Sequence, residues 1–294
     1  MRPFFENNVL RQQSFKPMII VVDTTKAGSA SNTFVLPIIK ATTETVKIYW
    51  GDGTNSIGVN GNNTYVYAAS GVYTVKIESK IFGGLYFNNG GDKAKITKVV
   101  SSGRGVVRSV TNSFFGCTSL TTIPLLNLSS VTNATNMFYQ CTGLTTIPLF
   151  NLSSVTNAQN MFYQCTGLTT IPLFNLSSVT NAQNMFFGCT SLTTIPLLNL
   201  SSVTNAYAMF FGCTSLTTIP LLNLSSVTNA TNMFLGVTLT TQSYSDFLIN
   251  LATLPLQSGV SFHGGNSKYN PTAATARAYL ISNFGWTITD GGAA

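Results

Sequence analysis

Apolar and polar positions follow two different rhythms along this chain. From Met18 to Ile77 they alternate with period two, in short β-branched runs at Ile19 to Val22, Thr33 to Ile38, Thr45 to Tyr49, Tyr65 to Tyr67 and Val72 to Ile77, broken by Gly, Asn, Asp and Ser. Runs of that length between turn residues predict a small β-sandwich. Further on the rhythm has a period of 24. Cys117, Cys141, Cys165, Cys189 and Cys213 each sit in a block reading M-F-x-x-C-T-[SG]-L-T-T-I-P-L-[LF]-N-L-S-S-V-T-N-A or close to it. A fixed period of this size outranks residue-by-residue assignment and falls in the range of leucine-rich solenoids.

Within one turn, Leu120, Ile123 and Leu125 are expected to form the buried edge of a short strand that ends at Asn127. Asn133 to Tyr139 suits a helical turn capped by Thr132 or Asn133, with Met137, Phe138 and Cys141 inward. Stacking then sets like residues about 4.8 Å apart and produces side-chain ladders. Stepping back by 24 from Leu120, Ile123 and Val131 reaches Ile96, Val99 and Val107, so Lys93 to Ser113 reads as a degenerate first turn, as the end of a repeat array should.

Beyond Val237 the period stops. Gln242 to Leu254 reads as a helix with Phe247, Leu248 and Leu251 on one side, and Gly259 to His263 as a strand. Pro271 opens a second helix that Gly285 ends, before a last strand at Trp286 to Thr289. The fold class expected is thus mixed and repeat-dominated. It comprises an arm at 1–17, a β-sandwich at 18–91, a solenoid at 92–237 whose degenerate first turn is 92–113, and an α/β cap at 238–294.

Charge changes this picture most. Only 8% of the residues are charged, against roughly 25% in ordinary soluble domains. Residues 1–108 hold 13 of the 15 basic and 6 of the 8 acidic side chains and so carry the whole net charge of +7, while Ser109 to Ser245 contains no charged residue. Displacing counterions from phosphate needs Lys or Arg along the contact, which excludes nucleic acid as a partner of the repeats. Lys93, Lys95 and Lys98 form the one basic cluster and read as a solvated face. No run reaches the 18 or more apolar residues of a membrane span. The start Met-Arg-Pro-Phe-Phe-Glu lacks the apolar stretch of a secretory signal, so a protein made and left in a cytoplasm is expected.

Candidate chemistry is sparse. The cysteines are odd in number, have no recurring His partner and give way to Val237 in the sixth turn, as buried small hydrophobes would. Asn-Leu-Ser at Asn127, Asn151, Asn175, Asn199 and Asn223 fits a glycosylation acceptor, but an amide ladder between turns explains it better. The paired threonines, from Thr121 and Thr122 onward, read as an ordinary strand surface. Asp52 reads as a turn residue, and His263 is the single histidine, so nucleophilic triads and metal clusters are hard to assemble. Glycan hydrolysis needs two carboxyl groups about 5 to 10 Å apart, which the repeats lack. No catalytic residue, metal ligand or cofactor is expected, and the chain reads as no enzyme.

Two stretches carry family resemblances. Trp50-Gly51-Asp52-Gly53-Thr54, followed by Tyr65 to Val75 (Y-V-Y-A-A-S-G-V-Y-T-V), resembles the PKD-like family of β-sandwiches. The 24-residue block resembles the BspA-type leucine-rich repeat, also met in mycoplasma surface lipoproteins. The tail Gly265-Asn266-Ser267-Lys268-Tyr269, with Arg277 to Leu280 and Trp286 to Gly292, resembles the segment that closes such arrays in proteins of Bacteroidetes and their phages. These resemblances imply surface attachment. The expectation is a spike or fibre-like adhesin on the surface of a phage virion, made in the host cytoplasm. Its arm and PKD-like domain would join other virion proteins while the solenoid binds a host glycan or protein; the alternative is a bacterial cell-surface or secreted adhesin.

Turn-to-turn differences suggest where a ligand would sit. They concentrate at Thr135, Gln159, Gln183, Tyr207 and Thr231, and at Tyr139, Tyr163, Phe187, Phe211 and Leu235. Variation marks the outer side of a stack, so Tyr139, Tyr163, Phe187, Tyr207 and Phe211 are the expected binding residues. A homo-oligomer is expected, and packing of the same rings over the turns, or between its subunits, is the alternative.

Overall fold

The computed structural model describes residues 16–40, 45–79, 82–103 and 109–294. Residues 1–15 of the expected arm, and Val107, lie outside the described residues. Its regular elements are mostly strands, concentrated in the N-terminal third, with two α-helices among the described residues.

The N-terminal region builds two antiparallel sheets. One contains β1 (Met18–Asp23), β3 (Val46–Tyr49), β4 (Asn55–Gly58), β6 (Val72–Glu78) and β8 (Ile96–Ser102), in the order β4-β3-β6-β1-β8; the other orders β5 (Gly61–Val66), β2 (Thr33–Lys40) and β7 (Phe82–Leu85) as β5-β2-β7. Period-two alternation places Ile20, Val22, Ile48, Val75 and Ile77 of the first sheet and Phe34, Leu36 and Ile38 of the second in one buried cluster. Gly51 and Gly53, with φ of 95° and 93°, allow the tight link from β3 to β4. Asp52 holds that link by accepting from the Thr54 N–H at 3.0 Å and hydroxyl at 2.7 Å, and Trp50 beneath it is buried. The turn reading of Asp52 therefore holds. The sequence pattern does not predict β4 and β7, because Asn-Ser-Ile-Gly and Phe-Gly-Gly-Leu show too few β-branched residues to register as strands.

β8 has two roles. One edge pairs antiparallel with β1. On the other, Val99 N–H donates to Thr122 O at 2.9 Å and Thr97 O accepts from Thr121 N–H at 3.0 Å. The first 24-residue turn is thus hydrogen-bonded to the outer edge of the sheet, which leaves that edge covered. Ile96 and Val99 are buried, as the 24-residue alignment required.

Beyond β8 the chain is a stack of turns in register. Thr156 donates through its N–H to Thr132 O, Thr180 to Thr156 O and Thr204 to Thr180 O, each at 2.9 Å. Met137, Phe138 and Cys141 and their equivalents are buried, as expected. The rings of Phe114, Phe138, Phe162, Phe186, Phe210 and Phe234 form a continuous inner column with centroids 5.4–5.5 Å apart.

Asn133 to Tyr139 is not helical. Ala134, Asn136, Phe138 and Gln140 donate their N–H groups to Asn157, Gln159, Met161 and Tyr163 of the next turn, at 2.7–3.1 Å, and not to residues four back. Asn136 at φ 55° and Gln140 at φ 57° make this possible, since a left-handed residue turns the peptide plane along the stack. Asn and Gly tolerate that region best, which explains Asn at 136, 160 and 184 and Gly at 188, 212 and 236. Asn133 does cap the segment, accepting from Thr135 N–H at 3.0 Å.

Two further expectations need correction. Leu125 is 63% exposed and Leu126 buried. Pro148 O accepts from Phe150 N–H at 2.9 Å, an i to i+2 bond centred on Leu149 that recurs one, two and three turns later. That γ-turn pivots the chain, so the Leu125 column points outward and the Leu126 column inward. The amide ladder also lies elsewhere. Asn127, Asn151 and Asn175 accept from the N–H two residues on within their own turn, whereas Asn136, Asn160 and Asn184 each donate to the asparagine of the preceding turn at 2.8, 2.9 and 3.0 Å. Position 208 is alanine, held at φ 49°, so the buried Asn184 Oδ1 has no donor. The ladder breaks there because the fifth turn lacks the amide.

The C-terminal residues close the stack. Phe234 N–H donates to His263 O at 3.0 Å, so β9 (Ser261–His263) forms one more rung, and β10 (Thr287–Thr289) pairs parallel with it. Helix α1 (Thr241–Leu251) buries Phe247, Leu248 and Leu251. Helix α2 (Pro271–Phe284) begins at Pro271 and stops at the left-handed Gly285. Asp290 ties the pieces together, accepting from Tyr244 OH at 2.9 Å and Arg277 Nε at 2.8 Å.

Candidate surface of the repeat array

The outer aromatic column starts one residue beyond the buried phenylalanines. Phe115, Tyr139, Tyr163, Phe187 and Phe211 stack with centroids 4.2, 4.4, 4.6 and 4.4 Å apart and planes within 13° of parallel. Each ring is half-buried. Because the column runs along the stacking direction, every inner ring has both faces covered by its neighbours. What solvent meets is a strip of ring edges, which carry the positive part of the aromatic quadrupole, with the Tyr139 and Tyr163 hydroxyls set in it. Burial, then the neighbouring Tyr163, pushes the Tyr139 hydroxyl above its usual pKa, so it stays a neutral donor. Beside the strip, Gln140 Nε2 donates to Gln164 Oε1 at 2.8 Å.

Four of the five expected residues, Tyr139, Tyr163, Phe187 and Phe211, therefore stand in one column. Tyr207 belongs to the neighbouring column that begins at Thr135; it is half-buried, and its N–H donates to Asn205 Oδ1 at 3.1 Å. Phe115, the first ring of the column, is not among the residues expected from turn-to-turn variation. Its signal was present, since it lies 24 residues before Tyr139 and two before Cys117, but the preceding Ser113-Phe114 departs from the Met-Phe of the later blocks.

The remaining polar candidates have local explanations. All five cysteines are free and buried. Cys141, Cys165, Cys189 and Cys213 donate through Sγ to a carbonyl of the preceding turn at 3.0–3.2 Å, and desolvation pushes the Cys213 thiol up to about 12. They behave as the small hydrophobes expected. Thr121, Thr169 and Thr193 use their hydroxyls to bond the carbonyl one turn back at 3.1–3.2 Å, in keeping with an ordinary strand surface. His263 Nδ1 accepts from Gly265 N–H at 3.0 Å, and burial lowers its pKa. Among the described residues no helix is long and apolar enough to cross a membrane.

Lys95 departs from the solvated face expected of its cluster. It is fully buried, donating to Ser29 O at 3.0 Å, Ala30 O at 3.0 Å and Thr33 O at 2.7 Å, 3.7 Å from the equally buried Asp92 carboxylate. Asp92 in turn accepts from Ser29 N–H, Ser29 OH and Val35 N–H at 2.6–2.7 Å. Gly28 is required here: its φ is 148°, and a Cβ would collide with that carboxylate. The pair clamps the β1–β2 connection to the turn that leads into β8.

No curated protein and no solved structure matches the chain. One family model does, described as Mycoplasma protein of unknown function, DUF285, in two overlapping placements at residues 104–219 and 132–247. Over residues 104–247, just under half of the chain, the stacked turns are therefore similar to this Mycoplasma family.

Proposed function

We propose that this chain is a non-enzymatic adhesin, displayed on a phage particle, whose leucine-rich-repeat solenoid binds a neutral glycan or protein on the host surface. The observation that carries the reading is the outer aromatic column on a stretch without a single charged side chain. A charge-free strip of ring edges, hydroxyls and amides gains little from ionic partners and suits uncharged oxygen-rich surfaces. The N-terminal sheets, read as a PKD-like sandwich, would join the particle, their charge separating the attachment end from the binding end. The tail residues Gly265 to Tyr269 and Trp286 to Gly292, which resemble closing segments of phage and Bacteroidetes proteins, support the location.

A bacterial cell-surface or secreted adhesin is the second reading, and the match of the repeats to a mycoplasma family favours it. Mass spectrometry of purified particles separates the two. The chain is expected among the virion proteins in stoichiometric amount; its absence there, with recovery in the envelope or secreted fraction of uninfected cells, overturns the phage location and leaves the adhesin reading standing.

A further inference from the structure

Five leucines lie in the open on this molecule. Leu125, Leu149, Leu173, Leu197 and Leu221 are 63%, 57%, 59%, 61% and 51% exposed, one per turn. Leu125 and Leu149 share a shallow hollow with Asn127 and Asn151. The γ-turns that aim the side chains outward would accept many residues there, and the inward column beside them does vary, with Leu126 and Leu198 against Phe150 and Phe174. The outward column is leucine in all five turns. It ends where the stack ends: one turn earlier the position is the buried Ser101 of β8, and one turn later the buried Ser245 of α1.

The geometry points to a second copy of this chain as the occupant, with the two leucine columns packed side by side and antiparallel. A straight column of identical side chains is complementary to itself under a two-fold axis, the commonest symmetry of protein pairs. Charge sets the direction. All of the net +7 lies before Ser109. A parallel pair would bring two such regions together, whereas an antiparallel pair puts them at opposite ends, beyond the ~10 Å over which salt leaves charges in contact. Leu173 then meets Leu173 at the axis, and Leu125 meets Leu221. Four intervals of about 4.8 Å make the stripe about 19 Å long, and the five residue steps from Thr122 to Asn127 make it at most about 17 Å wide. That footprint of at most about 320 Å² per copy is under half of what a standard interface buries on each partner, about 800 Å², so the pairing is weak and reversible. It uses no residue of the outer aromatic column and does not depend on the adhesin reading.

Sedimentation velocity of the full chain between about 1 and 300 μM is the test. The wild type is expected to shift from monomer to dimer over that range, equally at low and high salt. Leu149→Ser, Leu173→Ser and Leu197→Ser combined should weaken association at least tenfold with an unchanged circular dichroism spectrum. A wild type that stays monomeric throughout, or a triple variant that associates as well as the wild type, overturns the proposal. Orientation is read by mild oxidation of single-cysteine variants, the native thiols being buried. Leu173→Cys alone should cross-link, and Leu125→Cys should cross-link only when mixed with Leu221→Cys. Efficient cross-linking of Leu125→Cys with itself means a parallel pair and contradicts the arrangement.

Discussion

Asp92→Ala is expected to destabilise the protein by about 3–5 kcal/mol, because it leaves the buried Lys95 ammonium without its counter-charge. Both side chains are fully buried and 3.7 Å apart. The substitution also removes the acceptor of the Ser29 and Val35 N–H groups, each of which would then be a partly buried donor without its partner. Asp52→Ala is the matched control. That carboxylate is exposed. Desolvation, the largest single cause, raises its pKa, but hydrogen bonds from Tyr65 and Thr54 together outweigh this and hold it below the usual value. Losing such surface contacts costs on the order of 1 kcal/mol or less. In thermal melts followed by circular dichroism, Asp92→Ala should lower the first transition by about 10 °C or more, and Asp52→Ala by far less. Equal, small shifts for both would mean that the clamp does not hold the β1–β2 connection to the turn that leads into β8.

The second large effect is alkaline. Burial holds the thiols of Cys117, Cys141, Cys165, Cys189 and Cys213 protonated in the fold, against an ordinary value of 9.0. A group whose folded pKa is raised contributes its stability in full below the unfolded value and loses it as pH climbs towards the folded one, because only the unfolded chain releases the proton. The window opens near pH 9. Each thiol then removes about 1.4 kcal/mol per pH unit, and five together about 7 kcal/mol per unit. Buried Tyr67 and Tyr244, also raised by desolvation first, add the same sign above about pH 10. The melting temperature should therefore be flat from pH 7 to 8.5 and collapse by pH 10.5. Valine already occupies the equivalent place at Val237, so Cys165→Val with Cys189→Val should fold and show a shallower decline. A flat profile to pH 10.5, or a decline the valines leave unchanged, would contradict the assignment.

The parts of the fold legible in the sequence were those written in periodicity. A 24-residue phase locates the buried Leu120, Phe138 and Cys141 columns without coordinates, and Pro271 with Gly285 brackets α2. What stayed hidden depends on backbone direction. Met137, Phe138 and Cys141 have the spacing of a helix face, but left-handed Asn136 and Gln140 send the amides to the next turn. Ile147 and Leu149 look like alternate strand positions until Pro148 and the γ-turn shift the phase by one. Lys95 among neighbouring lysines resembles any solvated cluster, since its partners Ser29 and Thr33 lie more than 60 residues away. In the outer aromatic strip, composition and phase placed Tyr139, Tyr163, Phe187 and Phe211 on one line. They did not show that stacked neighbours cover the ring faces, which changes the surface from a stacking platform into an edge-on strip.

Retention of the protein on intact host cells tests the central claim most directly, comparing the wild type with the combined Tyr139→Ser, Tyr163→Ser and Phe187→Ser variant. The wild-type chain should bind with little dependence on salt, as a surface without charge requires. The variant should bind at least tenfold more weakly while melting as one folded array. Retention of the variant at the wild-type level would show that the aromatic column only packs against its own turns and that the binding surface lies elsewhere.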